Sequence, residues 1–173
     1  MSTSEPTAAG AEDPPVEVVR SPRRRKTVEA RVVDGVLRVS VPATLSAAEE
    51  ARWVEEMRRR HRRRARAGRV DLARRAALLA RRYGLPEPDE IRWVDDQRTR
   101  WASCTPARGT VRVSTRLAGF PSWVVDYVVV HELAHLAVPD HSPAWRALVD
   151  RYPKAERARG FLIAKGLEPD EDA

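Results

Sequence analysis

The residues His131-Glu132-Leu133-Ala134-His135, followed by His141, constrain the fold of this chain more than any other feature. The first five of these residues lie in a Val-rich apolar segment, residues 123–136, whose composition by itself favours a β-strand. On a strand His131 and His135 would lie about 13 Å apart, whereas on an α-helix residues four apart project from one face. Two histidines and a glutamate on a buried helix would cost free energy without partners, and a metal ion would supply them. The pattern therefore predicts a buried helix that carries a metal site.

The spacing also predicts which residues hold the metal and which act on a substrate. His131 and His135 are expected to aim their imidazoles at one point, with the Glu132 carboxylate beside it, as in zinc hydrolases. His141 follows Pro139, so the chain can turn back and deliver a third nitrogen. We therefore expect His131, His135 and His141 to bind Zn²⁺ and Glu132 to be the general base. Three imidazoles also suit manganese, cobalt, nickel or iron, so another divalent transition metal is an alternative.

Two sequence motifs around this site resemble the YgjP-like metal-dependent hydrolases, a family of small bacterial metallopeptidase-type proteins. The first is Arg100-Trp101-Ala102-Ser103-Cys104, followed by Gly109 and a strand at Val111-Arg112-Val113. The second covers residues 126–136 and continues with His141-Ser142-Pro143. The likeness extends over about residues 16–167 and is looser in the N-terminal half. Ala102 and Ser114 depart from the family, which usually has Gly and Asn at these positions.

The resemblance implies an α+β, zincin-like metallopeptidase domain. Such a domain would contain a small antiparallel β-sheet, the motif helix and an N-terminal β-rich part. The resemblance further implies that Thr110–Ser114 is an edge strand over the cleft, where an extended peptide substrate would add as a further strand.

Composition and turn residues divide the chain into a domain and two tails. Residues 1–15 are predicted to be a disordered tail and residues 168–173 an acidic tail. Residues 16–167 are predicted to form a single domain, with a β-rich part at 16–42, a helical connector at 46–84 and a catalytic part at 88–167. Strands are predicted at 16–20, 27–33, 36–41, 91–94, 99–103 and 110–114, and helices at 46–67, 71–83, from 121, 142–151 and 153–165.

Four further residues are candidates for roles near the metal. Arg100 is expected either to bind a substrate carboxylate or phosphate or to form a structural ion pair. Tyr127 lies one helical turn before His131, where it would donate a hydrogen bond to an oxyanion or pack in the core. Asp140 would orient a histidine or form a turn. Trp145 is expected to pack its helix against the motif helix and to cover one side of the pocket.

A run of arginines between Arg58 and Arg69 is the other notable feature of the sequence, whose net charge is +7. It predicts either a nucleic-acid interface or a solvated helix face in an arginine-biased composition. The candidate nucleic-acid-binding residues are Arg58, Arg59, Arg60, Arg62, Arg63 and Arg64. The single cysteine, Cys104, cannot form an internal disulfide, and no apolar run is long enough to span a bilayer. With no visible signal peptide, we expect a cytoplasmic protein without a membrane partner.

Hydrolysis of a peptide bond, in a peptide or protein substrate, is the predicted function. One alternative is a metal-dependent nucleoside triphosphate pyrophosphatase, which the absence of a Gly-rich phosphate loop weakens. A second is a nucleic-acid-associated protease that uses the arginine run. A third is a purely structural metal site, against which the intact Glu132 argues because such a site needs no base.

Overall fold

The computed structural model describes residues 13–97 and 99–166, and the chain divides into two compact units after Arg62. The predicted tails lie outside the described residues, except for residues 13–15. The single domain over residues 16–167 stays a prediction. None of the described helices combines the length and apolarity that crossing a membrane requires.

Six strands and five α-helices follow one another in the described chain. Their bounds are β1 Val16–Ser21, β2 Glu29–Val33, β3 Val36–Pro42, α1 Ala47–Ala67, α2 Leu72–Tyr83, β4 Glu90–Val94, β5 Ala102–Thr105, β6 Thr110–Ser114, α3 Ser122–Ala137, α4 Pro143–Val149 and α5 Ala155–Ala164. Short 3₁₀ turns lie at Pro106–Arg108 and Thr115–Gly119. The strand predicted at 99–103 is found at Ala102–Thr105 instead. Its pairing with β6 continues up to the turn, where Thr105 lies opposite Thr110.

The first unit contains a three-stranded sheet in the order β1-β3-β2. Strand β1 is parallel to β3 and β2 is antiparallel to it. Leu37, Val39 and Val41 alternate along β3 and are buried with Met57 of α1 in a small core. Asp34-Gly35, a sequence typical of a two-residue hairpin, forms the turn between β2 and β3, and both residues have positive φ, 50° and 76°.

Side-chain caps fix the helix starts that the sequence predicts. The Glu49 carboxylate accepts a hydrogen bond from the Ser46 backbone N–H at 2.9 Å, and the Ser46 hydroxyl accepts one from the Glu49 N–H at 3.3 Å. This reciprocal pair is a capping box at the start of α1. Asp71 caps α2 by accepting from the Arg74 N–H at 2.9 Å, and Gly84 ends that helix in the left-handed conformation.

The second unit contains a sheet in the order β4-β6-β5. This sheet is mixed, and not antiparallel as predicted, because β4 pairs with β6 in parallel while β5 is antiparallel to it. The assignment of Thr110–Ser114 as an edge strand is wrong for the same reason: β6 is central and β5 is at an edge. Val111 and Val113 of β6 are fully buried, as a central strand covered by helices requires.

Helix α3 lies at the centre of the second unit. It packs against α2, α4, α5 and β5, and nearly all its residues from Val124 to His135 are buried. Because a helix pairs its backbone groups internally, a segment buried on all sides keeps them satisfied. The segment is therefore a helix, as the histidine spacing predicts, and not the strand that its valines favour.

Candidate metal centre

Helix α3 places two histidines and a glutamate in the interior of the second unit. His131, Glu132 and His135 are 5%, 6% and 9% exposed. His131 and His135 are one helical turn apart, and their ring centroids are 5.0 Å apart. A buried polar group is costly unless it has a partner, and His131 Nδ1 has no hydrogen-bond partner among the described residues.

His141 reaches the same point from the short loop between α3 and α4. Two contacts shape this loop: the Ser142 N–H donates to Asp140 Oδ1 at 3.2 Å, and the Ser142 hydroxyl accepts from the Trp145 N–H at 3.5 Å. The second contact caps α4, which begins with Pro143. The loop is thereby held in a conformation that turns the half-buried His141 ring toward α3.

The three imidazoles converge through their Nε2 atoms. His135 Nε2 lies 3.3 Å from His131 Nε2 and 3.1 Å from His141 Nε2, and the three ligand atoms all lie within 4.8 Å of one another. Nitrogens that share one tetrahedral Zn²⁺ at about 2.0–2.1 Å are about 3.3 Å apart. The donor set therefore fits one such ion, and these three residues could hold it.

Protonation states in the site also suit a metal. Burial, followed by the nearby His135 and His141, holds the pKa of His131 well below its usual range. Burial and His141 likewise lower the pKa of His135, although its contact with Val138 opposes them. His135 Nδ1 lies 3.2 Å from the Val138 carbonyl oxygen, so Nδ1–H donates there and the Nε2 lone pair faces the other rings. Neutral imidazoles are the form that binds a metal.

A pocket opens onto the three histidines and Glu132. Its other lining residues are Arg100, Ala102, Ser103, Cys104, Pro106 and Pro139. Burial, with a smaller contribution from Glu132, raises the pKa of the Cys104 thiol to about 12. Cys104 is therefore a protonated thiol at neutral pH, which agrees with a packing role and not with that of a nucleophile.

The sequence did not identify the β5 part of this wall. Ser103 and Cys104 line the pocket because β5 lies beside α3. The position of β5 depends on its pairing with β6, which no local sequence pattern specifies. The Arg-Trp-Ala-Ser-Cys motif is the signal that could have found them, since it already marked this stretch as family-like.

Trp145 contacts all three imidazole rings. Its ring centroid lies 4.7 Å from that of His131, 5.1 Å from that of His135 and 4.4 Å from that of His141. The indole is stacked on His135, with 22° between the planes, and meets the other two edge-on. The structure thus agrees with the expectation that Trp145 covers one side of the histidines.

The other candidate residues lie in different environments. Arg100 is exposed and lines the pocket. Tyr127 is 1% exposed, its ring lies 6.1 Å from the His131 ring, and it does not line the pocket. Asp140 accepts hydrogen bonds from the Ser142 hydroxyl and from the Ser142 N–H, and these two bonds lower its pKa, so it forms the turn. Roles in catalysis or substrate binding stay predictions for all three.

Several arginines of the Arg58–Arg69 run form ion pairs within their own unit. In the first unit Arg59 pairs with Glu56, and Arg62 pairs with Asp13 and Glu55. In the second unit Arg64 pairs with Asp95. The other candidates, Arg58, Arg60 and Arg63, are half-buried. The Arg59 and Arg64 side chains stay 62% and 61% exposed in these pairs. A solvated helix face and a nucleic-acid interface therefore both stay predictions.

Comparison with known proteins gives a family and a fold. The family model described as YgjP-like, metallopeptidase domain, matches residues 41–163. The crystal structure of the metallopeptidase zymogen of Pyrococcus abyssi abylysin is 18% identical, with a TM-score of 0.50, over 56% of this chain and 96% of that chain. The corresponding zymogen of Methanocaldococcus jannaschii jannalysin is 17% identical, with a TM-score of 0.48, over 56% of this chain and 97% of that one. No curated protein matches the chain. Because the family model covers more than half of the sequence, the chain belongs to the YgjP-like family and carries its metallopeptidase domain.

Proposed function

We propose that this protein is a zinc-dependent metallopeptidase in which His131, His135 and His141 hold the metal and Glu132 is the general base. The observation that carries the proposal is the convergence of three Nε2 atoms beside a buried carboxylate in one open pocket. Three protein ligands that leave a coordination position open are typical of catalytic zinc, whereas structural zinc usually has four. Membership of a metallopeptidase family supports the same reaction class.

The reaction assigns separate tasks to the metal and to the protein. A divalent transition metal in this site would polarise the scissile carbonyl and lower the pKa of water toward about 7. The Glu132 carboxylate then takes the proton from the attacking water and delivers it to the leaving amine nitrogen. The low exposure of Glu132 keeps this proton transfer away from bulk solvent.

Strand β5 is the element we propose to bind the peptide backbone. It lies at an edge of its sheet, and three of its four residues, Ala102, Ser103 and Cys104, line the pocket. A substrate strand added at this edge would run past the three histidines, with backbone hydrogen bonds for affinity. Arg100, at the pocket wall, would bind an acidic group of the substrate.

A cleavage assay with two substrate classes tests this proposal. Metal-loaded protein is incubated separately with an unfolded polypeptide and with nucleoside triphosphates. We expect peptide products only, and a loss of about 10²–10⁴-fold in Glu132→Gln, as removal of a general base predicts. Glu156→Gln is the matched control, because Glu156 is 81% exposed on α5.

Two other outcomes would replace the proposal. Product from the triphosphate alone, abolished in Glu132→Gln, would identify a pyrophosphatase whose Arg100 contacts phosphate. Peptide cleavage that rises with added DNA and falls with salt would indicate a nucleic-acid-associated protease. Cleavage that is indifferent to DNA would exclude this second alternative, for which neither the family nor the similar structures give support.

A further inference from the structure

Trp145 is buried beside the histidines it contacts. It is 2% exposed and lies in the first turn of α4, where its backbone N–H donates to the Ser142 hydroxyl. The same cap fixes the residue that follows His141, so the start of α4 positions both the third histidine and the indole. Contacts of 4.4–5.1 Å between ring centroids place the indole against every imidazole of the site.

Hydrogen bonds orient these imidazoles incompletely. Metal-ligating histidines usually donate their second ring N–H to a carboxylate, a carbonyl or water, which fixes the ring plane. His135 has such a partner in the Val138 carbonyl. His131 Nδ1 is buried, and no hydrogen-bond partner for it is found among the described residues. Its ring plane must therefore be set by packing, and the nearest aromatic contact it makes outside the histidines is with Trp145.

We propose that Trp145 is a positioning residue whose aromatic face fixes the ring planes of His131, His135 and His141 for metal binding; this inference rests on the proposed metal site. Stacking on His135 and edge-on contacts with the other two restrict rotation of each imidazole about its Cβ–Cγ bond. Histidines whose ring planes are already fixed bind a metal more tightly, because they lose less conformational freedom on binding.

The aromatic face of Trp145, and not its indole N–H, orients the imidazoles. Trp145 Nε1 is buried and has no hydrogen-bond partner among the described residues. A phenyl ring in its place would keep the edge and face contacts and lose no protein hydrogen bond. An aliphatic side chain would fill part of the volume but would leave the imidazoles free to rotate.

Co²⁺ titration of metal-free protein tests this inference, because the visible absorption of bound Co²⁺ reports the geometry of its ligands. Trp145→Leu is expected to weaken Co²⁺ binding by about 10–100-fold, the range for loss of a residue that orients metal ligands, and to change the band shape. Trp145→Phe is expected to keep both the affinity and the spectrum of the unmodified chain.

A matched control separates positioning from general packing. Trp123→Leu removes a partly buried tryptophan from α3 whose ring contacts Phe161 and Arg157. It is expected to lower stability in urea but to leave Co²⁺ affinity and spectrum unchanged. Where Trp145→Leu does not fold by circular dichroism, Trp145→Met takes its place, since Met adapts to irregular spaces.

The outcomes distinguish this inference from the proposed function. Failure of the unmodified chain to bind one equivalent of Co²⁺, or equal binding by His135→Ala, would remove the metal site itself. Normal binding by the unmodified chain, with an unchanged spectrum and affinity in the folded Trp145→Leu or Trp145→Met variant, would overturn only the role of Trp145. Loss of the spectrum in a folded Trp145→Phe variant would also overturn it.

Discussion

The two three-stranded sheets of this protein have the same arrangement but support different surfaces. In each, the third strand in sequence is central, parallel to the first strand and antiparallel to the second. The β1-β3-β2 sheet buries one apolar face and carries ion pairs such as Glu17–Arg38 on the other. The β4-β6-β5 sheet packs against α3, and its β5 edge forms part of the pocket that contains the three histidines. Strand arrangement alone therefore does not specify chemistry.

The two units differ in whether their polar side chains are exposed or buried. Around the first sheet, charged side chains are at the surface and pair in water, where they contribute little. In the second unit three polar side chains of α3 are buried at a cost in free energy. The metal proposed above would compensate this cost for the two histidines. Substitutions at matched positions in the two units test the contrast.

The largest contrast is expected in thiol reactivity. Because the pKa of Cys104 is raised to about 12, its thiol stays protonated at pH 8 and gains thiolate only as the pH approaches that value. Iodoacetamide should then alkylate Cys104 in metal-free protein roughly a hundred- to a thousand-fold more slowly than an ordinary thiol. The comparison is the Cys104→Ser/Val32→Cys variant, because Val32 on β2 is 50% exposed. Equal rates for the two thiols at pH 8 would contradict the raised pKa of the partly buried Cys104.

The next largest contrast between the two units is expected in the stability cost of replacing a hairpin glycine. Gly35 and Gly109 both have positive φ, 76° and 57°. A Cβ on Gly35 would meet open space, whereas one on Gly109 would lie 2.7 Å from Asp89 Cγ. We expect Gly35→Ala to cost about 1–2 kcal/mol from the left-handed backbone alone. Gly109→Ala is expected to cost about 1 kcal/mol more, because the exposed Asp89 side chain must leave its present rotamer to make room for the new Cβ. Urea unfolding of the two variants measures this, and a larger cost at Gly35 would show that the turns are misassigned.

The smallest contrast between the two units is expected in the stability cost of breaking an ion pair. Arg75 bonds to Asp126 and also donates to the Ser122 carbonyl at 3.2 Å, which joins α2 to the start of α3. Asp126→Asn is expected to cost about 1–3 kcal/mol because the pair is partly buried. Glu17→Gln should cost less than about 1 kcal/mol, since Glu17 and Arg38 are both about half exposed. Indistinguishable urea midpoints for the two variants would mean that the Arg75–Asp126 pair has no structural importance.

Local interactions explain which parts of the fold the sequence predicts. The spacing of His131 and His135 requires a helix, the Ser46 and Glu49 pair marks a helix start, and Asp34-Gly35 marks a hairpin. In each case the residues that carry the signal lie within a few positions of one another. The convergence of three imidazoles is also a local feature, because His141 is only ten positions after His131.

Long-range pairing explains what the sequence does not predict. The parallel pairing of β4 with β6 joins strands that are separated by β5, and it turns the expected edge strand Thr110–Ser114 into a central one. No local pattern distinguishes this arrangement from an antiparallel meander. The identity of the substrate-facing strand, and with it the positions of Ser103 and Cys104 in the pocket wall, follows from that pairing.

Elemental analysis of the purified protein tests the central claim most directly, namely that three histidine nitrogens hold one metal ion. The unmodified chain should contain one equivalent of zinc, and His135→Ala should contain almost none. His61→Ala is the matched control, because His61 is the fourth histidine and lies on α1, so this variant should keep its full equivalent. Metal content that is absent from the unmodified chain, or that is the same in His135→Ala, would contradict the account.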